Sequence, residues 1–201
     1  MLTVVKLGGS HALSSALRPW VAALAGCGHC VIVPGGGPFA DAVRTAQPVM
    51  GFDDRAAHHM AILAMEQYGC ALASLDERLV LCESADAMQL ALNQGRAPVW
   101  LPKQMVLAAA EIPWSWDVTS DSLAAWLAGE IGAERLLLVK HGDWPAEAVT
   151  AADLVARGAV DPAFTGFVAA SRAPAFVVGP AEHARAGAAL SAGTPIGTRI
   201  V

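Results

Sequence analysis

The chain has 201 residues, 55% of them hydrophobic and only 15% charged, with mean hydropathy +0.45. So apolar a composition, against about 25% charge in ordinary soluble domains, excludes disorder. A membrane-spanning helix is excluded because no apolar run approaches the roughly 20 residues needed: Gly26, Gly28 and His29 interrupt one stretch, and Lys140 and His141 end another. Net charge is −5, and the 13 Lys and Arg are scattered without a basic stripe, which argues against nucleic acid as the main partner.

Thr3–Leu7 reads as a strand, followed by the turn Gly8-Gly9-Ser10. Ala12–Ala25 has helical apolar spacing, with Pro19 as a blemish. Cys30–Val33 is a second strand, ending in Pro34-Gly35-Gly36-Gly37-Pro38, and Phe39–Thr45 is a short helix. Asp53 or Asp54 caps a long helix through Tyr68, with Ala57, Met60, Ala61, Ala64 and Met65 as its apolar side. The methionines read as core rather than as a cofactor box. Arg78–Leu81 is a strand, Ala85–Asn93 a helix closed by Gly95, Val99–Leu101 a strand, and Lys103–Glu111 is ambiguous.

The second half restarts the alternation. Thr119 or Ser120 caps a helix through Ile131, and Leu136–Val139 is a strand. Ala151–Arg157 and Ala163–Ser171 read as helices, Ala175–Val178 as a strand, Ala181–Leu190 as a helix and Ile196–Val201 as a closing strand. Short apolar strands between helices predict a largely parallel α/β sheet covered on both faces. No repeat or linker interrupts it, so one domain over residues 1–201 is expected, large enough to bury about 70% of its unfolded surface.

Met1–Leu7 has no basic leader region, which makes the cytoplasm the default location. Cys27-Gly28-His29-Cys30 spells a thiol-exchange motif, but it lies past a predicted helix C-terminus, where the dipole raises a thiol pKa. With Cys70 and Cys82 isolated, the pattern favours ordinary buried thiols over redox or metal chemistry, and no metal ligand set is expected.

The two glycine turns both follow strands, where an open α/β sheet binds its ligands and where glycine lets backbone N–H groups approach phosphate. Neither is a P-loop or a dinucleotide fingerprint. Lys6 stands near the end of an otherwise apolar strand, and a phosphate is its natural partner there; a solvated edge-strand lysine is the plain alternative. Lys140 is a second cation at a strand end, and two lysines in one crevice suit charge neutralisation in phosphoryl transfer. In Asp117-Val118-Thr119-Ser120-Asp121, Asp117 can anchor a loop and Asp121 is a first-turn carboxylate, which helix capping alone also explains.

Val5-Lys6-Leu7-Gly8-Gly9-Ser10, Val33-Pro34-Gly35-Gly36-Gly37 and Asp117-Val118-Thr119-Ser120-Asp121-Ser122-Leu123-Ala124-Ala125 together resemble the amino acid kinase family. Ala57-His58-His59-Met60-Ala61-Ile62-Leu63-Ala64-Met65 and the stretch from Ser115 resemble its archaeal-type branch, which includes aminomethylfuran phosphate kinases of methanofuran biosynthesis. The resemblance implies a three-layer α/β/α sandwich around a mostly parallel sheet. It puts the phosphoryl acceptor mainly in residues 1–115, and ATP with magnesium mainly in 116–201. By motif, Lys6 stabilises the transferring phosphoryl group and Asp121 orients the lysines; the family's second catalytic lysine lies further along the chain, so either Lys140 takes that role from a different loop or the activity is weak or altered. Gly8, Gly9, Ser10, Gly35, Gly36 and Gly37 form the phosphate cradle. Asp117, Ser120 and Trp116 lie beside the acceptor, Trp116 as a plate for a flat furan ring. Of His58 and His59, the resemblance favours His59 as an acceptor contact. Without the resemblance, Trp114 and Trp116 both read as core or interface.

The chain departs from the family pattern after Val139, where Lys140-His141-Gly142-Asp143 replaces a Thr/Ser-Asp-Val-x-Gly loop, and it has no lysine after Lys140. It is also shorter than typical members, which implies a trimmed nucleotide half. The expected activity is ATP-dependent conversion of an aminomethylfuran monophosphate to its diphosphate. The alternatives are a kinase of the same fold acting on a carboxylate or nucleotide monophosphate, and a non-catalytic binding protein on this scaffold. The family and the apolar surplus both imply a homo-oligomer.

Overall fold

The computed structural model describes residues 1–201. Seven strands form one sheet: β1 (Thr3–Leu7), β2 (Cys30–Pro34), β3 (Leu79–Cys82), β4 (Ala97–Trp100), β5 (Arg135–Val139), β6 (Ala175–Val178) and β7 (Thr198–Ile200). Their order is β3-β4-β2-β1-β5-β6-β7, parallel throughout except for β7, which runs antiparallel to β6. β1, β2 and β5 are wholly buried, as their mostly apolar runs require, with Lys6 and Arg135 as the buried charges among them. No helix is long and apolar enough to cross a membrane.

Nine α-helices cover the sheet: α1 (Leu17–Ala25), α2 (Gly37–Met50), α3 (Asp54–Ala73), α4 (Ala85–Asn93), α5 (Lys103–Ala108), α6 (Ser120–Glu130), α7 (Ala151–Ala156), α8 (Phe164–Ser171) and α9 (His183–Ala192). Strand alternation separates two cores. Val4, Val31, Val33, Leu136 and Leu138 face α4, α6, α7 and α8, whereas Val5, Leu7, Ile32, Leu137 and Val139 face α1 and α9. α3 serves both, through Ile62 and Met65 on one side and Tyr68 and Leu72 on the other. The three-layer α/β/α architecture is as expected.

α1 begins five residues later than its apolar spacing predicts, after a 3-10 turn at Gly9–His11. Pro19 explains this: its ring excludes a helical residue four positions earlier, so it sits in the first turn, where its missing N–H costs nothing. α2 outruns the predicted Phe39–Thr45 and carries Pro48 near its end. Gly51 closes it in the left-handed conformation at φ 73°. The ambiguous Lys103–Glu111 segment resolves into the short helix α5.

Cys27 and Cys30 correct the sequence reading. Both are buried, as expected, but they are joined in a disulfide across the turn between α1 and β2. Gly28, at φ 73° between them, lets the chain reverse tightly enough for the two side chains to meet. Met60 is another correction, being partly exposed on α3 rather than core, while Met65 is buried.

Candidate active site

The chain leaves β1 on one side for β2 and returns on the other as β5, so a crevice opens beyond the ends of β1 and β5. The register sets Lys6 beside Leu138 and Leu7 beside Val139, so Lys140 emerges next to Gly8. Lys6 shares the strand face of Val4, which looks towards α6.

α6 is buried nearly all round, from Ser120 to Ala128, and brings Asp121 in its first turn to the same crevice. There Lys6 Nζ meets Asp121 Oδ1 at 2.8 Å, and Lys140 Nζ meets Oδ2 at 2.6 Å. All three side chains are largely out of water, Lys140 the least so. Burial alone pushes the Asp121 carboxyl up, but the two lysines outweigh it and hold the group below the ordinary carboxylate value. Burial and then the charge of Lys6 lower Lys140 to about 8, although Asp121 pulls the other way. Two ammonium groups around one carboxylate leave one excess positive charge in a low-dielectric site, a setting that favours an incoming anion.

The glycine turns interlock beside this triad. A Cβ on Gly9 would lie 2.0 Å from the Gly37 nitrogen, and one on Gly35 would lie 2.2 Å from the Gly9 nitrogen. Glycine is therefore required for two backbones to cross. Gly8 touches the triad directly, since a Cβ there would be 3.2 Å from Lys6 Nζ. The N–H groups of Gly8 and Gly36 donate to no backbone carbonyl, and no side chain caps α2, whose N-terminus opens at Gly37. Free N–H groups at a helix start are a ready anion site.

Next to the turns is a cavity of about 240 Å³. Its lining combines the polar turns and helix start Gly9, Ser10, Gly36, Gly37, Thr119 and Ser120, the apolar Ala61, Ile62, Met65, Val118 and Leu123, and Ala40, Asp41, Arg44, His58 and Trp116. Trp116 is locked against α2: its indole N–H donates to Gln47 Oε1 at 2.6 Å, and the Arg44 guanidinium lies 4.5 Å from its ring centroid. Gln47 in turn donates to Asp54 at 2.8 Å. Trp114 is half exposed, with Arg55 over its ring, and lies off the cavity.

Two expected contacts lie elsewhere. His59 is exposed on α3 and does not reach the cavity; its neighbour His58 does, buried and with Nε2 unpartnered. Burial and the adjacent His59 lower the His58 pKa, so that ring is neutral near pH 7. A phase of 100° per residue separates the two, and only His58 lines up with Ile62 and Met65 at i+4 and i+7. That spacing is the sequence signal that distinguishes them. Asp117 is exposed as well. Its backbone holds the loop, N–H to Ser115 Oγ at 3.0 Å and C=O accepting from Ala163 N at 3.0 Å, which leaves its carboxylate outside the cavity.

Asp161 is a residue the sequence reading missed. Thr119 occupies the N-cap position of α6, but its hydroxyl does not cap the helix; it donates to Asp161 at 2.8 Å. Asp161 also accepts from Thr119 N and Ser122 N, at 3.0 Å each, and from the Ser122 hydroxyl. Burial pushes its carboxyl up. Capped from another segment in this way, α6 holds Asp121 in place.

A second, more open cavity of about 580 Å³ lies beyond β5 and β6, lined by Gly142–Ala146, Gly179–Glu182 and Arg185 among others. No group of three or more His, Cys, Asp or Glu side chains comes together to hold a metal ion.

Comparison with known proteins agrees with this geometry. The sequence pattern of the amino acid kinase family matches residues 1–143. A curated relative, the [5-(aminomethyl)furan-3-yl]methyl phosphate kinase of Methanocaldococcus jannaschii, is 25% identical over 145 residues. That alignment takes in 70% of this chain and 66% of the relative, so the chain spans just under two thirds of the relative's length. Among solved structures, the uridylate kinase of Archaeoglobus fulgidus superposes with TM-score 0.75 at 18% identity, covering 100% of both chains. The UMP kinase of Bacillus anthracis gives 0.74 at 16% identity over 98% of this chain and 94% of that one. The UMP kinase of Ureaplasma parvum gives 0.72 at 14% over 100% and 98%. At such identities the likeness is one of fold, and relative to these three the expected trimming of the second half is not found. With the family's pattern over most of its length and the family's fold over all of it, the chain belongs to the amino acid kinase family.

Proposed function

We propose that the chain is an ATP-dependent phosphotransferase whose acceptor is a small aminomethylfuran monophosphate, converted to its diphosphate. The observation that carries this is the Lys6–Asp121–Lys140 triad beside uncapped glycine turns. An oxygen of the acceptor phosphate attacks the γ-phosphorus of ATP, the bond from that phosphorus to the β–γ bridging oxygen breaks, and ADP leaves. Positioning and charge stabilisation suffice, without a covalent enzyme intermediate. Lys6 and Lys140 neutralise charge on the moving group, and the Gly8, Gly9, Gly36 and Gly37 backbone cradles its oxygens. Ser10 and Ser120 line the acceptor end, and Gly35 serves the crossing of the turns.

The cavity size favours a small acceptor. At about 240 Å³ it falls below the roughly 300 Å³ at which drug-sized pockets begin, tight for a nucleotide and ample for one ring with a phosphate. Its lining includes Arg44, which pairs with Asp41 at 2.9 Å and lies over the Trp116 ring, and the neutral His58. Arg44 is the cation in this lining for a phosphate arm. The relative from M. jannaschii supports the same acceptor. The fold neighbours keep a second reading open, a nucleotide monophosphate acceptor, which the cavity size disfavours.

In this reading residues 1–115 serve mainly the acceptor and residues 116–201 mainly ATP, which takes the larger cavity beyond β5 and β6. The residues present do not fit a protein-held magnesium ion: no ligand cluster exists, and both oxygens of Asp121 face lysines. Magnesium then arrives on the nucleotide phosphates. Partly exposed Phe39 and Met60, with Leu63, form an apolar depression between α2 and α3 that supports homo-oligomerisation. An ATP-dependent role suits the cytoplasm; the Cys27–Cys30 pair is the feature that speaks for a less reducing setting.

The test is a panel of the furan monophosphate, UMP and small carboxylates, each with ATP and magnesium, with products read by mass. Diphosphate from the furan acceptor supports the proposal. Transfer only to UMP or a carboxylate overturns the acceptor, and no transfer to any of them overturns the activity.

A further inference from the structure

His11 and His141 stand 130 positions apart and are absorbed by none of the roles above. His11 follows the first glycine turn, and His141 follows Lys140. Their rings stack with centroids 4.3 Å apart and planes 21° from parallel. His11 Nε2 lies 3.3 Å from the carbonyl of Val139, the residue before Lys140. His141 Nε2 lies 3.4 Å from the carbonyl of Ser10, the residue after Gly9. A carbonyl only accepts, so each Nε2 carries the proton and donates. Each loop thus reaches into the backbone of the other, and the two contacts bracket Lys140 and the phosphate cradle.

We propose that this reciprocal stack is a positioning clamp that fixes the Lys140 ammonium relative to the Gly8–Ser10 turn during phosphoryl transfer, a role that rests on the kinase reading.

Lys140 needs such a device. Its backbone N–H bonds Val178 O at 2.9 Å, but two residues later Gly142 sits at φ 114°, a pivot with no ladder beyond it. An apolar side chain could fill the space of His11, which is fully buried, but could not donate to Val139. The charged groups around the pair are Lys6 on β1, Lys140 at the end of β5 and Asp121 on α6, which neutralises only one of the two lysines. A third cation is therefore excluded there: burial and then His141 and the lysines hold His11 down at about 4. The His11 ring stays neutral and adds geometry without charge.

The exposed ring of His141 is the place to cut. Three variants separate its contributions: His141→Ala removes both interactions, His141→Phe keeps a stacking ring, and His141→Asn keeps a donor for Ser10. Two readouts are taken, the split of kcat against acceptor KM, and the titration of Lys140 by 13C NMR, which is tractable because the chain has only three lysines. His141→Ala is expected to lower kcat about tenfold or more with KM within about twofold, with His141→Phe or His141→Asn restoring part of the loss. Lys140, freed towards solvent, should titrate above its value of about 8, nearer the ordinary 10.5. Unchanged kcat and unchanged Lys140 titration in His141→Ala overturn the clamp. If the wild type transfers no phosphoryl group, the kinase reading fails, and the Lys140 titration still decides whether His141 positions that side chain.

Discussion

The two cavities that flank the lysine–carboxylate–lysine triad are built by different means. The smaller one rests on backbone against backbone, with Gly9 and Gly35 too close to their neighbours for any Cβ and two helix N-termini behind them. The larger one is made mainly by the two loops after β5 and β6, whose closest approach is Gly179, with a Cβ 3.0 Å from Gly142 O; its one tighter crossing is Gly197, before β7, where a Cβ would lie 2.4 Å from Val177 O. Backbone crossings are rigid and leave glycine in the sequence as their trace. Loop-built walls depend more on side chains and chain path, and Gly197 is the one such trace in this lining. The family pattern fits this asymmetry, ending at residue 143, where the second cavity begins.

Removing the charge between the two sides is the largest disturbance available. Asp121→Asn leaves two buried ammonium groups facing each other, so turnover should fall by about 10³-fold or more, with a loss of roughly 3–5 kcal/mol in denaturant unfolding. Turnover within tenfold of wild type would show that the triad is not the centre of the chemistry.

A paired glycine experiment compares the cavities themselves. Gly9→Ala should cost about 3 kcal/mol or more, because a Cβ meets the Gly37 backbone at 2.0 Å and neither strand end can yield. Gly142→Ala, at φ 114° with its nearest neighbour 3.9 Å away, should cost only about 1–2 kcal/mol of backbone strain. Equal losses in chemical denaturation would erase the distinction.

Asp161 lies between these extremes, being the second half's contribution to the helix that carries Asp121. Asp161→Ala strips the caps from Thr119 N and Ser122 N and should lower stability by about 2 kcal/mol. The smallest effect belongs to His59. His59→Ala should leave acceptor KM within about twofold, whereas His58→Ala, on the cavity wall, should raise it about tenfold. The reverse pattern in steady-state kinetics would restore His59 as the contact.

What could be read from the sequence follows the same division. The alternation of apolar runs with helical spacings foretold the parallel sheet and its two covered faces, because burial on both sides leaves that mark on every strand. Lys6 stands out as a charge in an otherwise apolar strand, and the register brings it beside Lys140, whereas Asp121 is explained by capping alone and is singled out only by the resemblance. Asp161 and the His11–His141 pair did not stand out, because their partners lie 39–42 and 128–131 positions away and only the tertiary fold joins them. His59 was favoured over His58 because the resemblance outweighed helical phase, and Asp117 because a motif neighbour need not turn inward. The Cys27–Cys30 pairing was missed because dipole reasoning concerns thiolate reactivity, not whether a tight glycine turn brings two side chains together.

On the proposed reading, a charged Lys140, held by Asp121 in a dry crevice beside Lys6, stabilises phosphoryl transfer. Its pKa of about 8 lies below the ordinary 10.5, so between those values the folded state binds fewer protons than the unfolded one. Stability contributed by this group therefore rises with pH across that window, while turnover, which needs the charged form, falls. The most direct measurement is kcat/KM against pH, which reports the free enzyme, for the wild type and Lys140→Arg, since a guanidinium stays charged throughout. An alkaline fall centred near 8 in the wild type and absent below pH 10 in Lys140→Arg is the predicted result; superimposable profiles would contradict it.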